Sequence, residues 1–393
     1  MKMGRKISKL WSMVWGIALF SVIFSVPYQA TVNSRSGRDY ASYHYAVHST
    51  YNNDSPYTVD NLNQLARKEG TRKSVHPFFY PPPAILSVLW VQPFTLKQGA
   101  IAFFWFNQFC LFGTLLILHR WKNVSWSTLF AVSVLLWPVI DTMKMGQINL
   151  FVGLMIPIAL RYRSGVALAT AAMTKMSPAL IFFGWVMGKE WKPVMICALA
   201  CVALSVGVIP WIPIKEQIRF YTEILPEFSS GAYHGLTIPI NIPANHSIPD
   251  LYNQLFPGDS RTILSDVAKR LSSITFGVVF VSVLVWIRRL THSESKVFAL
   301  MSLIPLMLIT PVYCYEHHMA LLLVPIVLIL ETIKTRGVST WCLAWGVLLF
   351  GGQPLFSLRW LQRNIGVGSW WFQESKFFFI VLGELGVRKL QLT

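Results

Sequence analysis

Five short polar runs flank or interrupt the apolar stretches of this 393-residue chain, and each carries side chains able to do chemistry. Gly37-Arg38-Asp39-Tyr40-Ala41-Ser42-Tyr43-His44-Tyr45 places a carboxylate just after the first apolar block. A carboxylate at the mouth of a helical bundle can act as a general base; Asp is equally suited to a helix N-cap. His44 and His48 lie four apart, a spacing that fits either a metal or a plain interfacial pair. His76-Pro77-Phe78-Phe79-Tyr80-Pro81-Pro82-Pro83 sets His76 and Tyr80 beside a rigid, proline-led helix start. Lys144-Met145-Gly146-Gln147-Ile148-Asn149 opens an apolar helix with two amides, as a substrate site or an ordinary cap. Thr174-Lys175-Met176-Ser177-Pro178 puts a lysine inside an apolar stretch. Insertion scales charge roughly 2.5–3.5 kcal/mol for that, which marks such a residue as functional by default. Ser177 fits an N-cap and Pro178 the first helical position, so the next half-helix would aim its N–H groups and dipole at an anion. A phosphate-type site near Lys175 and Ser177 is expected; a snorkelling lysine at a kink is the alternative. Last, Pro311-Val312-Tyr313-Cys314-Tyr315-Glu316-His317-His318 sets two histidines beside a carboxylate. That group can shuttle protons near neutral pH or form part of an aromatic belt.

The elements that must position these groups follow from composition. The chain is 54% apolar and 13% charged, with mean hydropathy +0.49. Soluble chains average about 45–50% apolar and about 25% charged, so an ordinary cytosolic enzyme and a disordered protein are excluded. In a bilayer only helices or closed barrels satisfy the backbone. The apolar residues here run in blocks rather than alternating, so an all-α polytopic membrane protein is expected. Spans of about 20 residues are predicted near 10–28, 99–119, 125–141, 147–161, 192–212, 266–288, 296–311, 317–333, 338–353 and 374–388. Residues 81–95 begin with three prolines and predict a re-entrant or interfacial helix. Residues 164–187 predict a broken pair of half-length helices. The block Leu10–Val26 is read as a spanning helix rather than a cleaved signal, since Tyr28-Gln29-Ala30 lacks a small residue at the −3 position.

The net charge of +17, from 34 Lys+Arg against 17 Asp+Glu, is read as topology rather than nucleic-acid binding. With the N-terminus in the cytosol, short inner segments carry Lys2, Arg5, Lys6, Lys9, Arg120, Lys122, Arg161, Arg163, Lys189, Lys192, Arg288, Arg289, Lys296, Lys334, Arg336, Arg388 and Lys389. The C-terminus then also lies inside. Long outer loops fall at about 29–98, 213–265 and 354–373, so all five constellations face outward. The whole of 1–393 reads as one membrane domain. Five cysteines without a CxxC offer neither a disulfide framework nor a zinc site. No Walker loop, GxGxxG, HExxH or GxSxG occurs. Asn53-Asp54-Ser55 and Asn245-His246-Ser247 match the short N-glycosylation pattern.

Taken in order, Asp39-Tyr40 with Tyr43, Phe79-Tyr80-Pro81-Pro82, Gly146-Gln147-x-Asn149, Thr174-Lys175-x-Ser177-Pro178, Asn245-His246-Ser247 and Tyr315-Glu316-His317-His318 resemble the motifs of glycosyltransferase family 87. This is the polyprenol-phosphate-mannose-dependent, mannosyltransferase-like family of the membrane-embedded C-type fold. The chain differs from its usual pattern at His246 and Glu316. The resemblance implies a C-type bundle of about 10–12 spanning helices in the cell membrane, with its site on the outer face. It implies transfer of a sugar, mannose most commonly, from a polyprenyl-monophosphate donor to a glycolipid or glycan acceptor. Asp39 would be the base of an inverting displacement, and His317 or His318 would relay the proton. Lys175, Ser177, Tyr80, Gln147, Asn149, Lys144, Arg359, Asn245 and Glu316 are the expected donor and phosphate contacts. No metal, cofactor or nucleic acid is expected; the partners are lipid-linked substrates and membrane lipids. A transporter or flippase of lipid-linked sugars is the alternative.

Overall fold

The computed structural model describes residues 14, 16, 18, 21–29, 31, 38–71, 74–232, 239–242 and 245–336. The predicted spans at 338–353 and 374–388, the loop 354–373, Cys342 and Arg359 lie outside the described residues. Among the described residues the structure is all helix, with no strand.

Residues 21–29 are helical. They are followed by α1 (Arg38–Tyr51), α2 (Val59–Lys68) and two 3-10 turns, Pro82–Ser87 and Leu89–Val91. Then come α3 (Leu96–Lys122), α4 (Trp126–Leu135), α5 (Trp137–Met145), α6 (Asn149–Tyr162), α7 (Gly165–Thr174), α8 (Ala179–Met187) and α9 (Trp191–Gly207). A further helical stretch comprises α10 (Ile214–Arg219), a π-turn at Phe220–Ile224 and α11 (Leu225–Ser230). The remainder is α12 (Ile248–Leu255), α13 (Asp266–Arg289), α14 (Ser293–Met301), α15 (Leu303–Ile309), a 3-10 turn at Glu316–Leu322 and α16 (Leu323–Arg336).

By length and composition, α3 and α13 can each cross a membrane, and α4 with α5 makes a third span if its 67° bend is allowed. Both long helices begin at a side-chain cap. Thr95 and Gln98 form a reciprocal capping box on α3, and Ser265 caps α13. Helix α13 leaves Ile274, Val278 and Val281 exposed, and α9 leaves Leu199, Val202 and Val206 exposed. Apolar stripes of that size on a helical protein are surfaces for lipid; this is a membrane protein.

The expected single span over 125–141 is broken instead at Leu136. Pro138 lacks an N–H and its ring clashes with the preceding turn, so α4 ends and α5 restarts with proline near its first position. The expected span over 296–311 divides at Ser302, where α15 takes over from α14. Within 81–95 the helical parts are the 3-10 turns Pro82–Ser87 and Leu89–Val91, which bury Ala84, Ile85, Val88 and Val91. The break within 164–187 falls where expected, between α7 and α8.

Two apolar cores result. The larger one joins α3, α6, α7, α8, α15 and α16 through residues such as Leu115, Val152, Leu168, Ile181, Ile304 and Val324. The second packs α1 and α2 with the 3-10 turns and the 208–224 segment, through Tyr43, Leu62, Phe78, Ile85, Phe103, Ile212 and Phe220. Ile148 also belongs to it, so the two layers meet at the α5–α6 turn. The broken pair is held tightly to α9. A Cβ on Gly165 would lie 2.5 Å from the Pro193 carbonyl oxygen and 2.6 Å from the Cys197 nitrogen. Backbone atoms cannot yield as a flexible side chain does. Gly165→Ala is therefore expected to destabilise the purified protein by about 1–3 kcal/mol, read as a lower midpoint of thermal unfolding in detergent. An unchanged midpoint would show that α7 and α9 do not approach so closely.

Candidate active site

A cavity of about 1340 Å³ opens between the two layers. It exceeds the roughly 300–1,000 Å³ of ordinary small-ligand sites. Of the residues expected from the sequence, Asp39, Tyr80, Gln147, Lys175, Ser177, Glu316, His317 and His318 all line it. They come from α1, the loop before the 3-10 turns, the α5–α6 turn, the α7–α8 break and the turn before α16.

Local chemistry explains each placement. Helix α5 ends at Gly146 in the left-handed region (φ 67°). The Gly146 N–H donates to the Met143 carbonyl and the Gln147 N–H to the Thr142 carbonyl, at 3.2 and 2.9 Å. These paired bonds are the Schellman stop, and they turn Gln147 toward the outer layer. Gln147 Nε2 donates to Asp39 Oδ2 at 2.6 Å. Its Oε1 lies 2.9 Å from both the Tyr43 and Tyr80 hydroxyls, which are 2.6 Å apart. The Ile148 N–H donates to the Tyr43 hydroxyl at 3.4 Å. A consistent chain runs from Ile148 N–H through Tyr43 and Tyr80 to the Gln147 carbonyl, ending at Asp39. Burial, reinforced by the neighbouring phenol for Tyr43 and by Asp39 for Tyr80, pushes both phenols well above their usual range. Both therefore stay protonated and serve as donors.

The α7–α8 break has a similar origin. Lys175 is extended (φ −148°) and its N–H still bonds the Ala171 carbonyl at 2.9 Å. Pro178 bars a continuous helix. Lys175 Nζ donates to Asn149 Oδ1 at 2.7 Å, and Asn149 Nδ2 donates to the His317 carbonyl at 2.9 Å. The Thr142 hydroxyl donates to the same carbonyl at 2.7 Å. The His317 backbone is thus fixed from both α5 and α6. Its ring is 7% exposed and sits between two carboxylates, with Nε2 3.8 Å from Asp39 Oδ2 and Nδ1 3.8 Å from Asp141 Oδ2. Of the two adjacent histidines it is His317 whose ring pairs with carboxylates on both sides.

Four expected residues are placed differently. Ser177 caps nothing with its side chain; α8 begins at Ala179 with Pro178 at the cap. Lys144 lies 4.2 Å from the centre of the Trp137 ring, as a cation–π pair outside the cavity wall. Asn149 is buried behind the wall as a brace. Asn245 is another brace: Nδ2 donates to the Ile240 and Val312 carbonyls, and Oδ1 accepts the Cys314 N–H at 2.8 Å. Ser247 donates to the Val312 carbonyl at 2.9 Å. Together they hold the extended stretch that delivers Glu316 and His317. Asp141 was not expected at the site. The available signal was a lone acid within the apolar run 129–145, the argument that singled out Lys175.

The fold and site define a helical membrane protein whose buried polar cleft pairs a carboxylate with a lysine and an imidazole. Residues 78–311, more than half of the chain, match the family described as Glycosyltransferase family 87, and the protein belongs to that family. The match includes Tyr80, Gln147 and Lys175; Asp39 precedes it and His317 follows it. No curated protein and no solved structure matches the chain.

Gln147→Leu removes the partner of the Asp39 carboxylate and of both phenols while filling similar space. It should lower stability by about 1–3 kcal/mol, measured by thermal or denaturant unfolding in detergent. A wild-type midpoint would mean that this chain does not tie the layers together.

Proposed function

We propose that this glycosyltransferase moves a sugar, most simply mannose, from a polyprenyl monophosphate to a hydroxyl of a glycolipid or glycan at the outer face of the cell membrane. In this reading the helices belong to a C-type bundle of about 10–12 spans. The observation that carries the reading is that Asp39 and Lys175, from separate layers, share one cavity.

The chemistry follows from the two groups. Asp39 takes the acceptor proton as that oxygen attacks the anomeric carbon, with inversion in one displacement. Gln147 Nε2 donates one hydrogen bond to Oδ2, and the carboxylate keeps lone pairs to accept the proton. The bond from the anomeric carbon to the phosphate oxygen breaks, and the departing lipid phosphate gains negative charge. Lys175 spends one N–H on the neutral Asn149 amide, which leaves two donors and an uncancelled charge for that phosphate. The positive end of the α8 dipole adds to the stabilisation of the leaving group. A side chain of this kind meets the charge of a monophosphate without a nucleotide or a divalent metal in the scheme.

Asp39→Asn keeps the shape and removes the base, so turnover of a polyprenyl-phosphate sugar should fall by about 10²–10⁴-fold in folded, purified protein. Wild-type turnover would remove Asp39 as the base. Lys175→Ala deletes a charge-assisted contact worth about 1.5–3 kcal/mol, so donor KM should rise by about 10–100-fold. An unchanged donor affinity would move the phosphate elsewhere.

A further inference from the structure

Asp141 is a carboxylate of this cavity that neither the base nor the phosphate contact uses, and it faces the His317 ring. It lies on α5, one residue before Thr142, whose hydroxyl holds the His317 carbonyl. One short segment therefore governs both the backbone and the ring of His317. The ring nitrogens are distinct, and a carboxylate facing one of them fixes a proton there; Asp39 already accepts from Gln147 and turns acid in the proposed reaction, which leaves Asp141 as the fixed carboxylate. Here Nδ1 faces Asp141 and Nε2 faces Asp39, each at 3.8 Å. Those separations are longer than hydrogen bonds, as unliganded catalytic contacts often are before substrate closes them.

We propose that Asp141 is a positioning residue that keeps His317 protonated on Nδ1, so that Nε2 can receive from Asp39 the proton taken from the acceptor. The inference rests on the reading of Asp39 as the base. The steps balance. The acceptor O–H bond breaks as the new bond to the anomeric carbon forms, and the electron pair of the old sugar–phosphate bond leaves on the phosphate. The proton passes from Asp39 to His317 Nε2 and then to water in the cavity. While His317 is an imidazolium, Asp141 is its counter-charge on the side away from Asp39. The result resets Asp39 for the next acceptor without its proton meeting the departing phosphate.

The charged and titratable groups facing His317 are Asp39 of α1, His76 of the loop before the 3-10 turns, Asp141 of α5, Lys175 of the α7–α8 break and its own neighbours Glu316 and His318. Burial opposes the imidazolium most, Lys175 and His76 oppose it too, and the acids favour it. Removing Asp141 therefore makes His317 harder to protonate.

The test uses the full-length purified protein with a polyprenyl-phosphate sugar, comparing Asp39→Asn, Asp141→Asn, Asp141→Glu, His317→Gln and the Asp141→Asn/His317→Gln double variant. Asp141→Asn should lower kcat about tenfold or more with donor KM unchanged, and move the acid limb of the kcat profile to lower pH. The double variant should be no slower than His317→Gln alone. A wild-type kcat and pH profile for Asp141→Asn, or fully additive losses in the double variant, would overturn the proposal. If Asp141→Asn does not fold, Asp141→Glu keeps the charge but lengthens the reach; it should also shift the limb, and a wild-type profile would overturn the proposal. An inactive Asp39→Asn beside an indifferent Asp141→Asn defeats the role of Asp141 alone. An active Asp39→Asn defeats the base, and this inference with it.

Discussion

A side-chain amide that is almost fully buried must find its hydrogen-bond partners within the protein, and Gln147, 5% exposed, finds them across two separately packed layers. Asp39 and Tyr43 belong to the outer layer built on α1, while Gln147 belongs to a turn of the bundle. Together with the Ser87–Thr174 hydroxyl pair at 3.2 Å, this link fixes the register of the two cores. With it, Asp39 is held over the same cavity as Lys175 and His317. The left-handed Gly146 is the condition for the link, because only a sharp reversal after α5 turns the following amide toward α1.

The spacing Gly146-Gln147-x-Asn149 then has a physical meaning. Gln147 precedes α6 and reaches the outer layer. Asn149 is the first residue of α6 and reaches the opposite way, to the His317 carbonyl and Lys175. Two amides two residues apart thus connect three cavity walls. Neutral amides suit the task, since each offers donors and acceptors without adding charge to a low-dielectric site. A carboxylate at position 149 would pair with Lys175 and cancel the field that a phosphate needs. The same economy appears at Asn245, which serves two carbonyls and one N–H behind the wall.

Much of this was legible in the chain before the structure. Long apolar blocks near 99–119 and 266–288 announced α3 and α13, and Pro178 announced the interruption after Lys175. Those signals are local: length and a missing N–H. The break at Leu136 was less visible, because the apolar run continues unbroken through Pro138 and only the bend divides it. Side-chain partners were not legible, since they depend on which helices meet. Lys144 and Lys175 both stand near apolar helix ends, yet one packs over Trp137 and the other enters the cavity. Asp141, a lone acid in an apolar run, showed no partner in the sequence; the packing of α5 against the Glu316–Leu322 turn sets it beside His317. Asn245 and Asn149 carried the right chemistry for ligand contact, yet Asn245 is spent on backbone and Asn149 on the His317 carbonyl and Lys175.

The charge layout of the cavity constrains how two substrates can share it. Asp39, Asp141 and Glu316 line the cavity, with Asp39 and Asp141 flanking His317. A second cation, Lys269, already lies 3.3 Å from Asp266. Lys175, whose contact is a neutral amide, is the described lining cation with the most charge left for an anion. An anionic donor entering such a space is repelled by the carboxylates and drawn to the lysine, whereas a neutral hydroxyl is drawn to Asp39. Under the proposed chemistry this sorting alone orients the pair, with the phosphate toward α8, the acceptor toward α1 and the anomeric carbon between them. Backside attack requires the same order, so the electrostatics that admit the substrates also align them for inversion.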